Sequence, residues 1–296
     1  MKAKTWWSIL KETGTDWLDD NAARLAAALS YYTLLSIAPL LIIAVTLASL
    51  AFGDEAARAG ISSEMAAIVG EQAAQSVQAI LSQNQAPEVG VVSSIVGIVV
   101  LLFGASGVFG ELQAALNTVW EVQSKPGRGI WGLIKDRFFS FTMVLGVGFL
   151  LLVSLLLSAG LSAVGRFLGE LLPGGEALWQ ALNFVISLGV VTGLFALIFK
   201  VVPDVKIEWR NVWIGAVVTA LLFTLGKFLL GLYLGKATFA SMYGAAGSLV
   251  VLVVWVYYSA QILFLGAEFT QVYARHYGSN IRPSANAVPL RSAQTS

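Results

Sequence analysis

The sequence predicts an all-α protein: a polytopic membrane helix bundle with six transmembrane helices and both termini in the cytoplasm. The first observation is composition. Hydrophobic residues make up 57% of the chain and charged residues 12%, with a mean hydropathy of +0.78, whereas soluble domains carry about 25% charged residues. The second is a set of apolar runs, each longer than the roughly 20 residues that cross a hydrocarbon core. These runs lie at roughly 24–52, 91–120, 138–164, 179–202, 212–235 and 245–272.

The third observation is the uneven distribution of basic residues. Of the 18 lysines and arginines, fourteen lie in the N-terminal segment, the second and fourth connections and the tail, and three lie in the odd-numbered connections. Cytoplasmic loops carry the excess of Lys and Arg. An even number of spans also requires both termini to share a side. The sequence therefore predicts a multi-pass protein of the cell (inner or plasma) membrane with cytoplasmic termini.

Several classes of function lack the residues they need. The chain has no Cys, one His and a net charge of +1, which argues against thiolate or His-rich metal sites and against a nucleic-acid surface. A phosphate-binding G-x-x-x-x-G-K-[ST] loop and an H-E-x-x-H motif are both absent from the sequence. We therefore predict that the chain is not an enzyme and that it uses no cofactor and no metal.

Three elements precede the second run. Residues 1–23 predict a cytoplasmic amphipathic helix in the membrane interface; a solvated lead-in is the alternative, and Asp16, Asp19 and Asp20 have the pattern of a solvated helix face. The first run contains Pro39, which removes a backbone hydrogen bond and predicts a kink. Residues 53–90 predict an amphipathic outer loop of one or two helices, serving either as a lid or as a structural cap.

The second run carries small and polar residues on one face. Gly104 and Gly107 lie on this face and could break the helix as hinges, as discontinuous helices do around transporter sites. Close helix packing through small residues is the alternative. Glu111 and Asn117 add polarity toward the cytoplasmic end of the run.

The fifth run places a lysine among small residues. Lys227 follows Ala216 and Ala220 on one helical face, while the leucines and Phe228 cover the rest. It lies about 5 Å from the middle of the run, at about 1.5 Å per residue. A lysine at the centre of an inserted helix costs about 2.5–3.5 kcal/mol and indicates a functional site; snorkelling of the side chain to the outer surface is the alternative.

The sixth run has a polar line at heptad spacing. Gln261 and Glu268 share this line, with Tyr257 and Tyr258 beside Gln261. Glu268 lies about 15 Å from the middle of the run. Because Arg24 lies at a similar depth, we expect it to pair with Glu268 or with Glu111, either in a substrate pathway or as an ion pair that only fixes helix registry. Residues 1–276 thus predict a single six-helix membrane domain, and the polar residues 277–296 predict a disordered cytoplasmic tail.

Particular motifs resemble those of the YihY/virulence factor BrkB family. The segment AARLAAALSYYTLLSIAP at 22–39 resembles the first-helix motif, and Leu112-Gln, Leu116-Asn and Trp120 resemble the second-helix motif. YGAAGS at 243–248, WVYY at 255–258 and LGAEF at 265–269 resemble the C-terminal signature. The resemblance implies a multi-pass inner-membrane protein linked to serum resistance and lipid movement in the envelope. An older label for the family is ribonuclease BN-like, but this sequence offers no hydrolytic site.

Two functions are consistent with this pattern. The first is a transporter or flippase-like facilitator for lipid or another amphipathic anion, with membrane lipids as its partners. The second is a non-transporting scaffold that recruits envelope or secretion proteins. The predicted substrate pathway comprises Arg24, Glu111, Asn117, Lys227, Tyr257, Tyr258, Gln261 and Glu268, and the predicted hinges are Pro39, Gly104 and Gly107.

Overall fold

The computed structural model describes residues 3–69, 75, 107–125, 175–236, 247–277, 281–285 and 287–290. Its helices are α1 (Ala3–Asp19), α2 (Ala22–Phe52), α3 (Asp54–Val69), α4 (described over residues 107–119), α5 (Gly175–Val201), α6 (Trp209–Lys236) and α7 (Gly247–His276). Its strands are β1 (Val122–Ser124), β2 (Val205–Lys206), β3 (Arg282–Pro283) and β4 (Ala287–Pro289).

Four of the predicted apolar runs match long helices, and the described part of the second run, residues 107–119, is also helical. Three stretches are long and apolar enough to cross a membrane in the described part of the chain, namely Phe184–Val201, Trp209–Leu230 and Val250–His276. They coincide with the fourth, fifth and sixth predicted runs, and α2 coincides with the first. The predicted run 138–164, most of the run 91–120 and most of the outer loop after Val69 lie outside the described residues, so the count of six spans stays a prediction.

Two residues with positive φ separate the first three helices. Asn21, at φ 53° and ψ 43°, lies between α1 and α2 in the left-handed region, which asparagine tolerates better than most residues. Gly53, at φ 80° and ψ 158°, ends α2, and its N–H donates to the Ser49 carbonyl at 2.9 Å. Only glycine adopts that conformation readily, so the direction of α3 after α2 depends on this residue.

Helix α7 is the central element of the described bundle. It packs against α6, α2 and α1, and α6 packs in turn against α5. Aromatic rings connect three of these helices, since Phe195 of α5 meets Phe223 of α6 edge-on at 5.6 Å, and Phe223 meets Trp255 of α7 at 5.9 Å. Such edge-to-face pairs add to the dispersion contacts that hold helices together in lipid.

The tail after α7 returns to the bundle and pairs with earlier loops. β4 lies antiparallel to β1, with Val122 opposite Pro289, and β3 lies antiparallel to β2, with Val205 opposite Pro283. Ala287 is buried. The prediction of a disordered tail over 277–296 is therefore wrong for these residues, because the tail pairs with β1 and β2. We call the end of the bundle where these strands lie the strand end.

Helix α1 is amphipathic and docks on α7. Ile9 is fully buried with Phe269, Val272 and Tyr273 of α7, and the Trp6 ring stacks on Phe269 at 6.4 Å. On its other sides α1 leaves a row of apolar residues exposed, namely Trp7, Leu10 and Leu18. This arrangement is compatible with the predicted interfacial helix, whose position at a membrane surface stays a prediction.

Candidate functional site

Helices α6 and α7 cross at two reciprocal glycine–threonine contacts. A Cβ atom added at Gly215 of α6 would overlap the Thr270 side chain of α7, and one added at Gly266 of α7 would overlap Thr219 of α6. Each threonine donates its hydroxyl to the carbonyl four residues earlier on its own helix, at 2.7 Å for Thr219 and 2.6 Å for Thr270. The polar group of each threonine is thus satisfied within its own helix, while its bulk occupies the space over the opposite glycine.

This crossing brings Lys227 level with the tyrosines of α7. A Cβ atom added at Gly226 would lie 2.7 Å from the Tyr258 hydroxyl, so α6 and α7 also approach closely beside Lys227. Lys227 is partly buried, whereas Leu225 and Phe228 on either side of the Gly226–Lys227 pair are 57% and 62% exposed. The predicted division of α6 into a small-residue inner face and a leucine-rich outer face holds at Ala216 and Ala220, which are fully buried, and at the exposed Leu225 and Phe228.

The polar line on α7 runs from this level to the strand end. Tyr257, Tyr258 and Gln261 are partly buried, and Glu268 is 0% exposed. From Tyr258 to Glu268 the helix advances about 15 Å, at about 1.5 Å per residue. The line therefore extends from the Lys227 level into the buried core of the strand end.

Glu268 is a buried acid that lacks a hydrogen-bond donor. Both of its carboxyl oxygens are buried without a hydrogen-bond partner in the described part of the chain. The Asp20 carboxyl, at the junction of α1 and α2, lies close enough to the Glu268 carboxyl for the two acids to influence each other. The Glu268 oxygens nevertheless make no hydrogen bond to it. We call Asp20 and Glu268 the carboxyl pair.

Asp20 is an unusual acid as well. Burial raises its pKa above the ordinary value, and the negative charges of Glu121, Asp16 and Asp19 raise it further, while proximity to the Glu268 carboxyl lowers it. The sequence-based interpretation of Asp16, Asp19 and Asp20 as a solvated face therefore does not hold for Asp20, because the docking of α1 on α7 leaves this residue only partly exposed.

One arginine serves several acids around the carboxyl pair. The Arg275 guanidinium lies 3.3 Å from Glu12, contacts Asp16 at hydrogen-bonding distance and lies 3.9 Å from Glu121. His276 contacts Glu12 at 2.6 Å. These side chains are 28–45% exposed, so the network is screened by solvent and joins α1 to α7 at modest strength.

A second polar cluster fastens the loops of the strand end. Asn117 donates through Nδ2 to the Asp204 carboxylate at 3.0 Å and accepts from the Asp204 backbone N–H at 2.8 Å. Ser124 donates to the same carboxylate at 3.0 Å, and the Ser284 N–H donates to the Asp204 carbonyl at 2.8 Å. Asp204 thus ties α4, β1 and the tail together, and the predicted pathway residue Asn117 is engaged in that tie.

The remaining predicted site residues are dispersed. Arg24 is exposed in the first turn of α2, and Glu111 is partly buried on α4. In the described part of the chain neither Glu268 nor Glu111 pairs with Arg24, so that predicted ion pair is wrong. Glu268 instead faces Asp20.

The predicted hinge residues lie on α2 and near α4. Helix α2 continues through Pro39, and a Cβ atom added at Gly107 would lie 3.2 Å from the Tyr32 ring. Gly107 therefore permits a close approach of α4 to α2. Gly104 lies outside the described residues.

Three residues of the strand end were missed by sequence reasoning. Asp20, Asp204 and Arg275 each interact with partners 80 or more residues away. The signal that could have indicated them is weak: acids at the end of an amphipathic helix, and a basic residue in the last turn of α7. Among the described residues no group of three or more His, Asp or Glu side chains is arranged to hold a metal ion.

Comparison with known proteins identifies related chains. Residues 14–291 match the family described as Virulence factor BrkB. A UPF0761 membrane protein from Alkalilimnicola ehrlichii is 30% identical over 264 residues, covering 87% of this chain and 56% of the relative. Another from Alteromonas mediterranea is 30% identical over 257 residues, covering 85% of this chain and 83% of the relative.

Several of the curated relatives are longer than this chain. This chain spans just over half the length of several curated relatives, including 58% of a UPF0761 membrane protein from Verminephrobacter eiseniae that is 30% identical. No solved structure matches the chain significantly.

Proposed function

Since this chain belongs to the Virulence factor BrkB family of integral membrane proteins, we propose that it is a facilitator that moves lipid or another amphipathic anion across the cell membrane. The distribution of Lys and Arg favours cytoplasmic termini. In that orientation the strand end lies at the cytoplasmic face, and the polar line of α7 leads from it toward the outer leaflet.

The observation that carries the proposal is the position of Lys227. It lies about 7 Å along the axis from the middle of α6, at about 1.5 Å per residue. It is partly buried next to the close contact of Gly226 with Tyr258, between exposed apolar residues. Cations inside membrane segments are rare and face protein interiors or aqueous cavities. A lysine held there is suited to attract a phosphate-like headgroup.

The rest of the proposed route follows α7. Tyr257, Tyr258 and Gln261 provide hydroxyl and amide groups along one stretch of helix, which is partly buried. Exposed Arg24 at the start of α2 would collect anionic headgroups at the cytoplasmic mouth, and Glu111 would line the route on α4. Flexing near Pro39, Gly104 and Gly107 would let the headgroup pass.

A lipid-scrambling assay tests the proposal directly. The full chain is reconstituted into vesicles that carry a fluorescent phospholipid, and dithionite reports how fast the label moves between leaflets. Lys227→Ala should slow this movement at least about tenfold, equivalent to about 1.4 kcal/mol, and Lys227→Arg should retain it. Lys206→Ala is the matched control, because it removes an exposed lysine outside the helices. Equal rates for wild type, Lys227→Ala and empty vesicles would refute transport of the lipids tested.

The close α6–α7 crossing favours the scaffold as the second candidate. Overlap at Gly215, Gly226 and Gly266 leaves little space between these helices, and the Asn117–Asp204 cluster fastens the strand end. A scaffold predicts that Lys227→Ala leaves function intact, whereas substitutions on exposed surfaces reduce partner recruitment. Crosslinking in membranes followed by identification of stable partners, alongside the scrambling assay, separates the two functions.

A further inference from the structure

The carboxyl pair places the buried Glu268 beside the partly buried Asp20, and among the described residues Arg275 is the cation that acts on Glu268. We propose that Asp20 and Glu268 bind one shared proton, and that this proton holds the α1–α2 junction against α7. The site and its ligand are independent of whether the protein transports lipid.

Burial and the missing donors support a bound proton. Glu268 is 0% exposed, and both of its oxygens lack a hydrogen-bond partner in the described part of the chain. A bare carboxylate in such a place loses its hydration without compensation, which proteins avoid by pairing the charge or neutralising it. Because the Glu268 carboxyl interacts with the Asp20 carboxyl, one proton between the two acids is the smallest ligand that meets both needs.

Among the described residues, the surrounding charges do not replace that proton. In this part of the chain Arg275 on α7 is the cation that acts on Glu268, and it already contacts three other carboxylates. From α2 and α6 the charged residues nearest this end, Arg24 and Arg210, are exposed. The acids grouped at this end are Glu12, Asp16, Asp19, Asp20, Glu121 and Glu268.

Asp20 supplies independent support from outside the membrane segments. Its pKa is raised, chiefly by burial, so it binds a proton more readily than an exposed aspartate does. The residue lies between Asp19, the last residue of α1, and Asn21, whose left-handed backbone starts the turn into α2. Loss of the shared proton would set two like charges against each other at this junction and favour its separation from α7.

Infrared difference spectroscopy of the full chain in lipid nanodiscs tests the proton. Wild type should show the carbonyl band of a protonated carboxyl group at neutral pH, and the band should vanish under alkaline conditions. Glu268→Gln should lack the band, and in Asp20→Asn the band should disappear at lower pH, because the neighbouring like charge is gone. Glu55→Gln, which removes an exposed carboxyl on α3, should leave the band unchanged.

Several results would overturn the proposal. A wild-type spectrum without the band at neutral pH would do so, as would a band that survives both Glu268→Gln and Asp20→Asn. If Glu268→Gln does not fold, wild type is compared with Asp20→Asn. Disappearance of the carbonyl band at the same pH in both proteins would contradict a shared proton. A band abolished by sodium at constant pH would mean that a metal cation occupies the site instead.

A distance measurement tests whether the shared proton holds the α1–α2 junction against α7. The chain has no native cysteine, so spin labels can be placed at Leu10→Cys on α1 and Tyr277→Cys after α7, both exposed. The distance between the labels should lengthen over the pH range in which the carbonyl band disappears. In the Glu268→Gln background it should stay constant. A wild-type distance that does not change across that range would refute the holding role.

Discussion

Substitution of Gly266 by alanine should loosen the crossing of α6 and α7. The added methyl carbon would lie 2.7 Å from Thr219 Cγ2 and 2.8 Å from Thr219 Cβ, whereas nonbonded carbon atoms are most stable at about 3.5–4.0 Å. Thr219 is fully buried, and its hydroxyl is bonded to the Gly215 carbonyl. It therefore cannot rotate away without losing that bond, and the helices have to separate instead.

The size of the effect follows from two opposing terms. Overpacking of a tight core costs about 1–3 kcal/mol, while replacing a helical glycine with alanine gains up to about 1 kcal/mol of helix propensity. Gly193→Ala on α5 isolates the second term, because a methyl group there meets nothing within 4 Å. The free energy of unfolding should therefore be about 1–3 kcal/mol lower for Gly266→Ala than for Gly193→Ala.

Reversible unfolding in mixed detergent micelles, followed by circular dichroism, supplies the measurement. A third variant, Gly266→Ala with Thr219→Gly, removes the atoms that the methyl group meets. In a double-mutant cycle with Thr219→Gly alone, the two changes should then show a favourable coupling of about 0.5–3 kcal/mol. If Gly266→Ala proves as stable as Gly193→Ala, or if the coupling is zero, the reciprocal contact does not hold the helices together.

Three further predictions concern the strand end. Asn117→Ala removes both hydrogen bonds to Asp204 and should lower the free energy of unfolding by about 1–3 kcal/mol, with faster proteolysis of the tail; unchanged cleavage would contradict the tie. Arg275→Gln should cost less than about 1 kcal/mol at low salt and almost nothing at high salt, so an effect that is independent of salt would count against a solvent-screened network. Because the pKa of Asp20 is raised on folding, the folded state holds the proton longer than the unfolded state. The stability that this contributes is fully present below the ordinary aspartate pKa of about 3.9 and declines as the pH rises through the raised value. Asp20→Asn should flatten the decline, and melting curves that keep the wild-type slope in this variant would argue against that linkage.

The sequence predicted the helices and their faces better than their partners. Alternation of small and large residues at helical spacing correctly placed Ala216 and Ala220 inside α6, because the period of a helix is a local property. The glycines at the crossing were not identified, since their role depends on how α6 is aligned with α7. The repeat of glycine followed by threonine four residues later, at Gly215 and again at Gly266, was the available signal.

The candidate site was only partly foreseeable. Heptad spacing from Gln261 singled out Glu268, but its neighbour Asp20 directly follows α1, whose acids are spaced as on a solvated helix face. Only the docking of α1 on α7 reveals that Asp20 is partly buried. The expected partner, Arg24, is exposed, because similar depth along two helices does not fix the direction in which a side chain points.

The tail was missed for a different reason. Strands of two or three residues contain no measurable period, and prolines at 283 and 289 suggest a chain without regular structure. Both prolines lie at strand ends, where the lack of an N–H group is tolerated. The pairing partners β1 and β2 are themselves short connections between helices, so nothing in the local sequence marks them as strands.

The pairing of β4 with β1 sets an order for biogenesis. Val122 pairs with Pro289, and more than half of the chain lies between them. The loop after α4 therefore cannot form this pairing until α5, α6 and α7 have been synthesised and inserted. Until then β1 has an unpaired edge. Truncation before residue 287 would remove β4 and leave this edge of β1 uncovered, a form open to non-native strand pairing.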